Sequence, residues 1–247
     1  MKSRVIWCLG MYASASTWML NAVREIQVAC RPGERVAVQF VRDNIDSNVL
    51  AQQTVINIVK SHEIPEAASL LTLAGRADTI LMTVRDPRDA VASMMEYQKT
   101  EFDKATQLVN ESSALCLDFL KDRRTTCFHY ESEFFAHRKT LFDLALIMGC
   151  TLSDGAAEGC FERLSRPAVE RLIKELPRRQ DILYDPVSGD FLDPQTQWHT
   201  HHAGRSGRVG RWRQTLSEAQ ARDVLSRSDA QRVSRLTLAN TVGVKRS

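Results

Sequence analysis

A chain of 247 residues, 43% hydrophobic and 26% charged, has enough apolar material for one large α/β core or two small ones. Its net charge of +3 is too small to argue for a nucleic-acid partner. No stretch approaches the roughly 18 apolar residues of a membrane-spanning helix, and the apolar run at residues 5–9 is too short for a signal-peptide core, so no membrane role is expected. The six cysteines are scattered with no C-x-x-C pair, which reads as reduced thiols in a cytoplasmic protein rather than a disulfide framework.

Taken in chain order, short apolar runs alternate with amphipathic stretches. Strands are predicted at residues 4–9, 35–41, 55–60, 79–84 and 125–129. Helices are predicted between and after them, at 16–29, 65–73, 87–97, 101–121 and 133–148. This alternation implies βαβ units: an α/β fold of three layers, with a central parallel sheet flanked by helices. Beyond Cys150 no strand pattern is visible. Residues 166–176 and 217–226 read as helices, giving a helical C-terminal part. Between them, residues 177–210 are polar and rich in Pro, Gly and His, a length that marks a functional or mobile loop. No composition shift divides the chain, so residues 1–247 are expected to form one domain.

In parallel sheets, ligands bind beyond the carboxyl ends of the strands, where helix N-termini present N–H groups. Four segments fall there or could close over it. The first is GMYASAST. Against the phosphate-loop pattern G-x-x-x-x-G-K-[ST], Gly10 and Thr17 fit, but Ala15 replaces the second glycine and Ser16 the lysine. Backbone amides can hold an anion here without a side-chain charge, helped by the hydroxyls of Ser14, Ser16 and Thr17; a serine that merely caps the helix is the plainer reading. The second is VRDPRDAVAS. Asp86 and Pro87 suit a helix start, Arg85 stands at the strand–helix corner, and Ser93 lies two turns on, so Arg85 and Ser93 suit a second phosphate group. The third is HHAGRSGRVGRWRQT, a Gly/Arg stretch fit to close over a polyanion. The fourth is KSHE, where Lys60 and His62 arrive at a strand end and His62 is a candidate general base. Glu63 and Glu66 are weaker alternatives for that role. His199, His201 and His202 are read as a polar loop rather than a metal site, because no further ligands are spaced to join them.

In this order the segments resemble the sulfotransferase family that uses 3′-phosphoadenosine 5′-phosphosulfate. The family's first loop, P-K-S-G-T-T-W or P-R-S-G-S-T-W, stands here as Y-A-S-A-S-T-W at residues 12–18. Its K-[TS]-H is matched by Lys60, Ser61 and His62, and its R-x-x-x-D-x-x-x-S by Arg85, Asp89 and Ser93. Its R-K-G-x-x-G-x-W is matched by Arg205, Ser206, Gly207, Gly210 and Trp212, and its Y-E by Tyr130 and Glu131. The resemblance implies a P-loop NTPase-like fold with a lid at about residues 177–213 and no metal. It implies that Ser14, Ala15, Ser16 and Thr17 bind the 5′-phosphate and that Trp18 and Tyr130 flank the nucleoside. Arg85 and Ser93, with Arg205, Ser206 and Gly207, would hold the 3′-phosphate. Lys60 would stabilise charge on the transferring group, and His62 would take the proton from a small-molecule or glycan hydroxyl acceptor. The sequence departs from the pattern at Ala13, where the family has the basic residue on the bridging oxygen, and at Ala15, which disfavours a positive φ. A nucleotide-binding module with weakened chemistry is therefore the alternative reading, and a P-loop kinase a third.

Overall fold

The computed structural model describes residues 4–41, 45, 50, 55–186, 189–203 and 207–242. Five parallel strands form the central sheet: β1 (Arg4–Gly10), β2 (Arg35–Phe40), β3 (Val55–Ser61), β4 (Thr79–Val84) and β5 (Thr125–His129), in the order β2-β3-β1-β4-β5. The two most apolar runs, β1 and β3, occupy interior positions and are buried almost throughout. The edge strands β2 and β5 are only half-buried, as expected when both faces of a parallel sheet are covered only near its middle.

Alternation along β1 assigns its residues to two cores. Val5, Trp7 and Leu9 point to one face and Ile6 and Cys8 to the other. The second face is covered by α1 (Ser16–Cys30), α5 (Lys139–Ile147), α6 (Asp154–Leu164) and α7 (Arg166–Glu175). The first is covered by α2 (Ala67–Arg76), α3 (Pro87–Gln98), α4 (Phe102–Phe119), the single turn α8 (Trp212–Thr215), α9 (Glu218–Ser226) and α10 (Ser228–Val242). Among the described residues no helix is long and apolar enough to cross a membrane.

Two helix starts follow directly from local chemistry. Asp86 accepts from the Arg88 amide with Pro87 in the first turn of α3. Glu66 accepts from the amides of Ala68 and Ser69 and begins α2 two residues later than the sequence suggests. The helix expected at 133–148 is broken instead. Glu133 takes a left-handed conformation (φ 51°), a 3₁₀ turn covers Phe134–Ala136, and α5 starts only at Lys139.

The polar segment after α7 is not structureless. A two-stranded antiparallel hairpin, β6 (Leu183–Asp185) and β7 (Asp190–Leu192), stands where no strand was expected, followed by a 3₁₀ turn at Thr200–Ala203. Strands of three residues are too short to show a period of two. Helices α6 and α10 were likewise absent from the sequence reading.

Candidate active site

The ends of β1, β3 and β4 lie side by side at one edge of the sheet. Leu9 is in register with Ser61 and Met82, and Gly10 with Thr83, so the loops that follow these strands must leave side by side.

The loop after β1 turns back on itself at Gly10. A Cβ there would stand 2.5 Å from Thr83 Oγ1 and 2.6 Å from Ser16 Cβ, so no other residue fits. Ala13 (φ 57°) and Ala15 (φ 66°) are both left-handed, which costs a non-glycine residue about 1–2 kcal/mol each. The alanine that disfavours positive φ thus adopts it all the same, and the loop keeps its shape under strain. Ala15 is the N-cap of α1, and no side chain caps the helix. Neither Ser14 nor Ser16 serves as the cap. Ser14 is fully buried; its hydroxyl donates to Met11 O and shares a hydrogen bond with Thr83 Oγ1, both at 2.7 Å. The first-turn amides of α1 have no intrahelical partner by geometry, and no side chain takes their place.

Lys60, at the end of β3, is 4% exposed and donates to Thr17 Oγ1 at 2.7 Å. Burial pulls its pKa down to about 8. His62 lies beyond it with Nδ1 at 2.7 Å from Gly10 O. A carbonyl only accepts, so Nδ1 carries the proton and Nε2 is left with its lone pair. Tyr12 stacks on the His62 ring (centroids 4.4 Å apart) and donates to Glu63 Oε1 at 3.1 Å. Burial, with the Lys60 charge, pushes the His62 pKa down to about 3. The two alternative bases are otherwise engaged, Glu63 by Tyr12 and Glu66 as the cap of α2.

Arg85, at the end of β4, is 3% exposed and joins three segments. Its Nη1 donates to Ala13 O at 2.9 Å and its Nη2 to Arg208 O at 3.4 Å, and its guanidinium lies 4.0 Å over the Tyr130 ring. Its Nε is buried without a partner. Tyr130 donates to Gly207 O at 2.7 Å, and a Cβ on Gly207 would stand 2.0 Å from the Tyr130 hydroxyl. Asp89 accepts from the amides of Gly210 (2.7 Å) and Trp212 (2.8 Å), fastening this stretch to α3. Arg88 and Arg213 lie over the Trp212 ring. Glu131 accepts from the Asp86 amide, and its carboxyl pKa is raised by burial. Ser93 is half-buried further along α3. Trp18 is buried edge-on to Phe134, its Nε1 without a partner. Arg205 and Ser206 lie outside the described residues.

Sequence reasoning missed the partner of the histidine cluster. Asp190 on β7 takes His199 Nδ1 at 2.8 Å and His201 Nδ1 at 2.9 Å. His202 stacks on Tyr97 and meets Trp198 edge-on. The stretch read as a polar loop is thus folded around a carboxylate 5% exposed. Only the hairpin brings Asp190 there, and nothing in its spacing signals it. Among the described residues, no group of three or more His, Cys, Asp or Glu side chains is arranged to hold a metal ion.

No family model matches the sequence, and no curated protein is similar to it at the sequence level. Solved structures are similar in fold. Mouse sulfotransferase SULT7A1 complexed with PAP aligns with a TM-score of 0.66 at 13% identity, over 99% of this chain and 90% of that one. Retinol dehydratase in complex with androsterone and the inactive cofactor PAP aligns with a TM-score of 0.58 at 14% identity, over 96% and 80%. Retinol dehydratase with retinol and PAP aligns with the same TM-score at 13% identity, over 91% and 79%. With a five-stranded parallel sheet between helical layers and this loop arrangement, the chain resembles the sulfotransferases and has their fold.

Proposed function

We propose that this chain, folding as one domain with a lid at about residues 177–213, is a cytoplasmic sulfotransferase. It would move a sulfuryl group from 3′-phosphoadenosine 5′-phosphosulfate to the hydroxyl of a small molecule or glycan, with no nucleic-acid or membrane partner. The observation that carries this reading is Arg85: its guanidinium is bonded to Ala13 of the first loop and to Arg208 of the lid, with Nε left over. One buried cation therefore ties the uncapped N-terminus of α1 to the segment that would cover a ligand. An orphaned guanidinium N–H beside an uncapped helix start fits a ligand with two anionic groups.

When bound, the donor supplies the sulfuryl group and a phosphate leaving group. The amides of Ser14, Ala15, Ser16 and Thr17, with the Ser16 and Thr17 hydroxyls, bind the 5′-phosphate end. Ser14 contributes its amide alone, since its hydroxyl is turned inward. Arg85 and Ser93 hold the 3′-phosphate with Gly207, joined by Arg205 and Ser206. Trp18 and Tyr130 flank the nucleoside. Lys60, anchored on Thr17, supplies the positive charge that Ala13 lacks, where one preorganised donor is worth roughly 10²–10³ in rate. His62 presents a lone pair at Nε2 to the acceptor hydroxyl. SULT7A1 and retinol dehydratase were crystallised with PAP, and retinol dehydratase with androsterone or retinol, which supports a small-molecule acceptor here.

A second reading has its own observation. Ala13 places no charge at the bridging oxygen, so the chain could bind the nucleotide and transfer nothing. The test is a mass-spectrometric screen of hydroxyl acceptors with the sulfate donor. Mass gain of one sulfuryl group on any acceptor supports the enzyme. Nucleotide binding without transfer, with activity appearing in Ala13→Lys, supports the binding module.

A further inference from the structure

Resting on the sulfotransferase reading, we propose that Tyr12 is a positioning residue for His62: its ring, braced by a hydrogen bond to Glu63, holds the imidazole in the orientation that presents Nε2 to an acceptor hydroxyl. Position 12 is where the family's loop pattern carries proline, which has neither an aromatic face nor a hydroxyl.

One hydrogen bond does not fix an imidazole. His62 Nδ1 donates to Gly10 O at 2.7 Å, which selects the tautomer and leaves the ring able to turn about that bond. The χ2 torsion of a histidine has broad wells, so a second contact must set the plane. Two aromatic rings adjoin it. Phe40, at the end of β2, meets the imidazole at 64° with centroids 6.0 Å apart, and it is 41% exposed. Tyr12 lies nearly parallel to it, at 22° with centroids 4.4 Å apart. Turning the imidazole would drive its edge into the Tyr12 face, whereas a half-open ring meeting it at an angle gives way. The stacked contact is therefore the one that resists rotation.

Tyr12 can act as a wall because it is itself held at both ends. Its amide donates at 3.3 Å to Ser112 Oγ on α4, and Ser112 is fully buried and bonded to Val109 O. Its hydroxyl donates to Glu63 Oε1 at 3.1 Å. Glu63 directly follows His62, so the loops after β1 and β3 are clasped at three points: Gly10 O on His62 Nδ1, ring on ring, and hydroxyl on carboxylate. The next residue of the same loop, Ala13, gives its carbonyl to Arg85 at 2.9 Å. One stretch of backbone thus bears on both the base and the buried guanidinium.

The test is histidine-selective nitrogen NMR of the full chain, with single-turnover sulfuryl transfer to an acceptor from the screen, in Tyr12→Leu and Tyr12→Phe. His62 should show a single Nδ1–H tautomer in the unaltered chain and in Tyr12→Phe, and mixed tautomers in Tyr12→Leu. Transfer should fall by about 10–100-fold in Tyr12→Leu, the cost of misplacing a catalytic group by about an ångström, with calorimetric affinity for adenosine 3′,5′-bisphosphate within about twofold. In Tyr12→Phe, which loses only the bond to Glu63, transfer should fall by about two- to tenfold. A single tautomer with undiminished transfer in Tyr12→Leu overturns the proposal. So does a loss of bisphosphate affinity as large as the loss of transfer, which marks Tyr12 as general scaffold. If Tyr12→Leu does not fold, Tyr12→Phe decides: a single tautomer supports the ring face as the holding element, and mixed tautomers overturn it. A chain that neither binds the bisphosphate nor transfers overturns the sulfotransferase reading, while the tautomer comparison, which needs no turnover, still decides this one.

Discussion

The Arg85 end and the His62 end of this row of strand ends present opposite electrostatics. At the Arg85 end a buried guanidinium meets the carbonyls of Ala13 and Arg208 and the face of Tyr130. At the His62 end imidazoles are buried and held neutral, His62 down at about 3 beside Lys60. A group that must hold an anion needs a permanent charge with partners that tolerate it. A group that must take a proton needs to be empty of one first. On the proposed reading, the residues at these strand ends would divide by task.

The largest effect that breaks this comparison is at the proton end. His62→Ala should lower single-turnover sulfuryl transfer by roughly 10²–10⁴-fold while leaving calorimetric affinity for the bisphosphate within about twofold. A variant that keeps full turnover removes its residue from the proton path. Next, Lys60→Met should cost roughly 10²–10³ in transfer rate, since no side chain at position 13 supplies the charge. At the anion end, Arg85→Ala should weaken bisphosphate binding by about 10–100-fold, the worth of a charge-assisted hydrogen bond. Equal losses of affinity in Arg85→Ala and His62→Ala would erase the distinction between the two ends.

The pH dependence of Lys60 sharpens it further. Its folded pKa of about 8 lies below the ordinary 10.5, so the folded chain gives up this proton first. Bisphosphate affinity should therefore decline above about pH 8, by about tenfold at pH 9 if the ammonium is required, and Lys60→Met should remove that limb. Stability moves the other way. Between about pH 8 and 10.5 the unfolded chain binds the extra proton, so this group's contribution to stability rises with pH across that window. The smallest effect is at the strained loop. Ala15→Gly relieves a left-handed alanine and should raise the urea midpoint by an amount worth no more than about 1 kcal/mol, part of the relief being offset by unfolded-state entropy.

What the sequence made legible follows from where local chemistry and final position agree. The apolar runs of β1, β3 and β4 could only be buried parallel strands. Asp86–Pro87 could only begin a helix, and the residues at those strand ends converge because parallel neighbours leave the sheet together. Legibility failed where tertiary contacts decide. The break at Glu133 interrupts a stretch whose apolar pattern reads as continuous helix. The β6–β7 hairpin is held by three-residue strands with no period to detect. The Asp190 pairing with His199 depends on that hairpin and on a residue nine positions away in sequence. The inward hydroxyl of Ser14 depends on Thr83, 69 residues on.

The central claim is that one nucleotide with two phosphate groups spans the N-terminus of α1 and Arg85. Isothermal calorimetry of adenosine 3′,5′-bisphosphate into the unaltered chain and into Arg85→Ala tests it most directly. Saturable one-to-one binding that weakens by about 10–100-fold in the variant is the predicted result. An absence of binding to the unaltered chain, or an affinity untouched by removing Arg85, contradicts it.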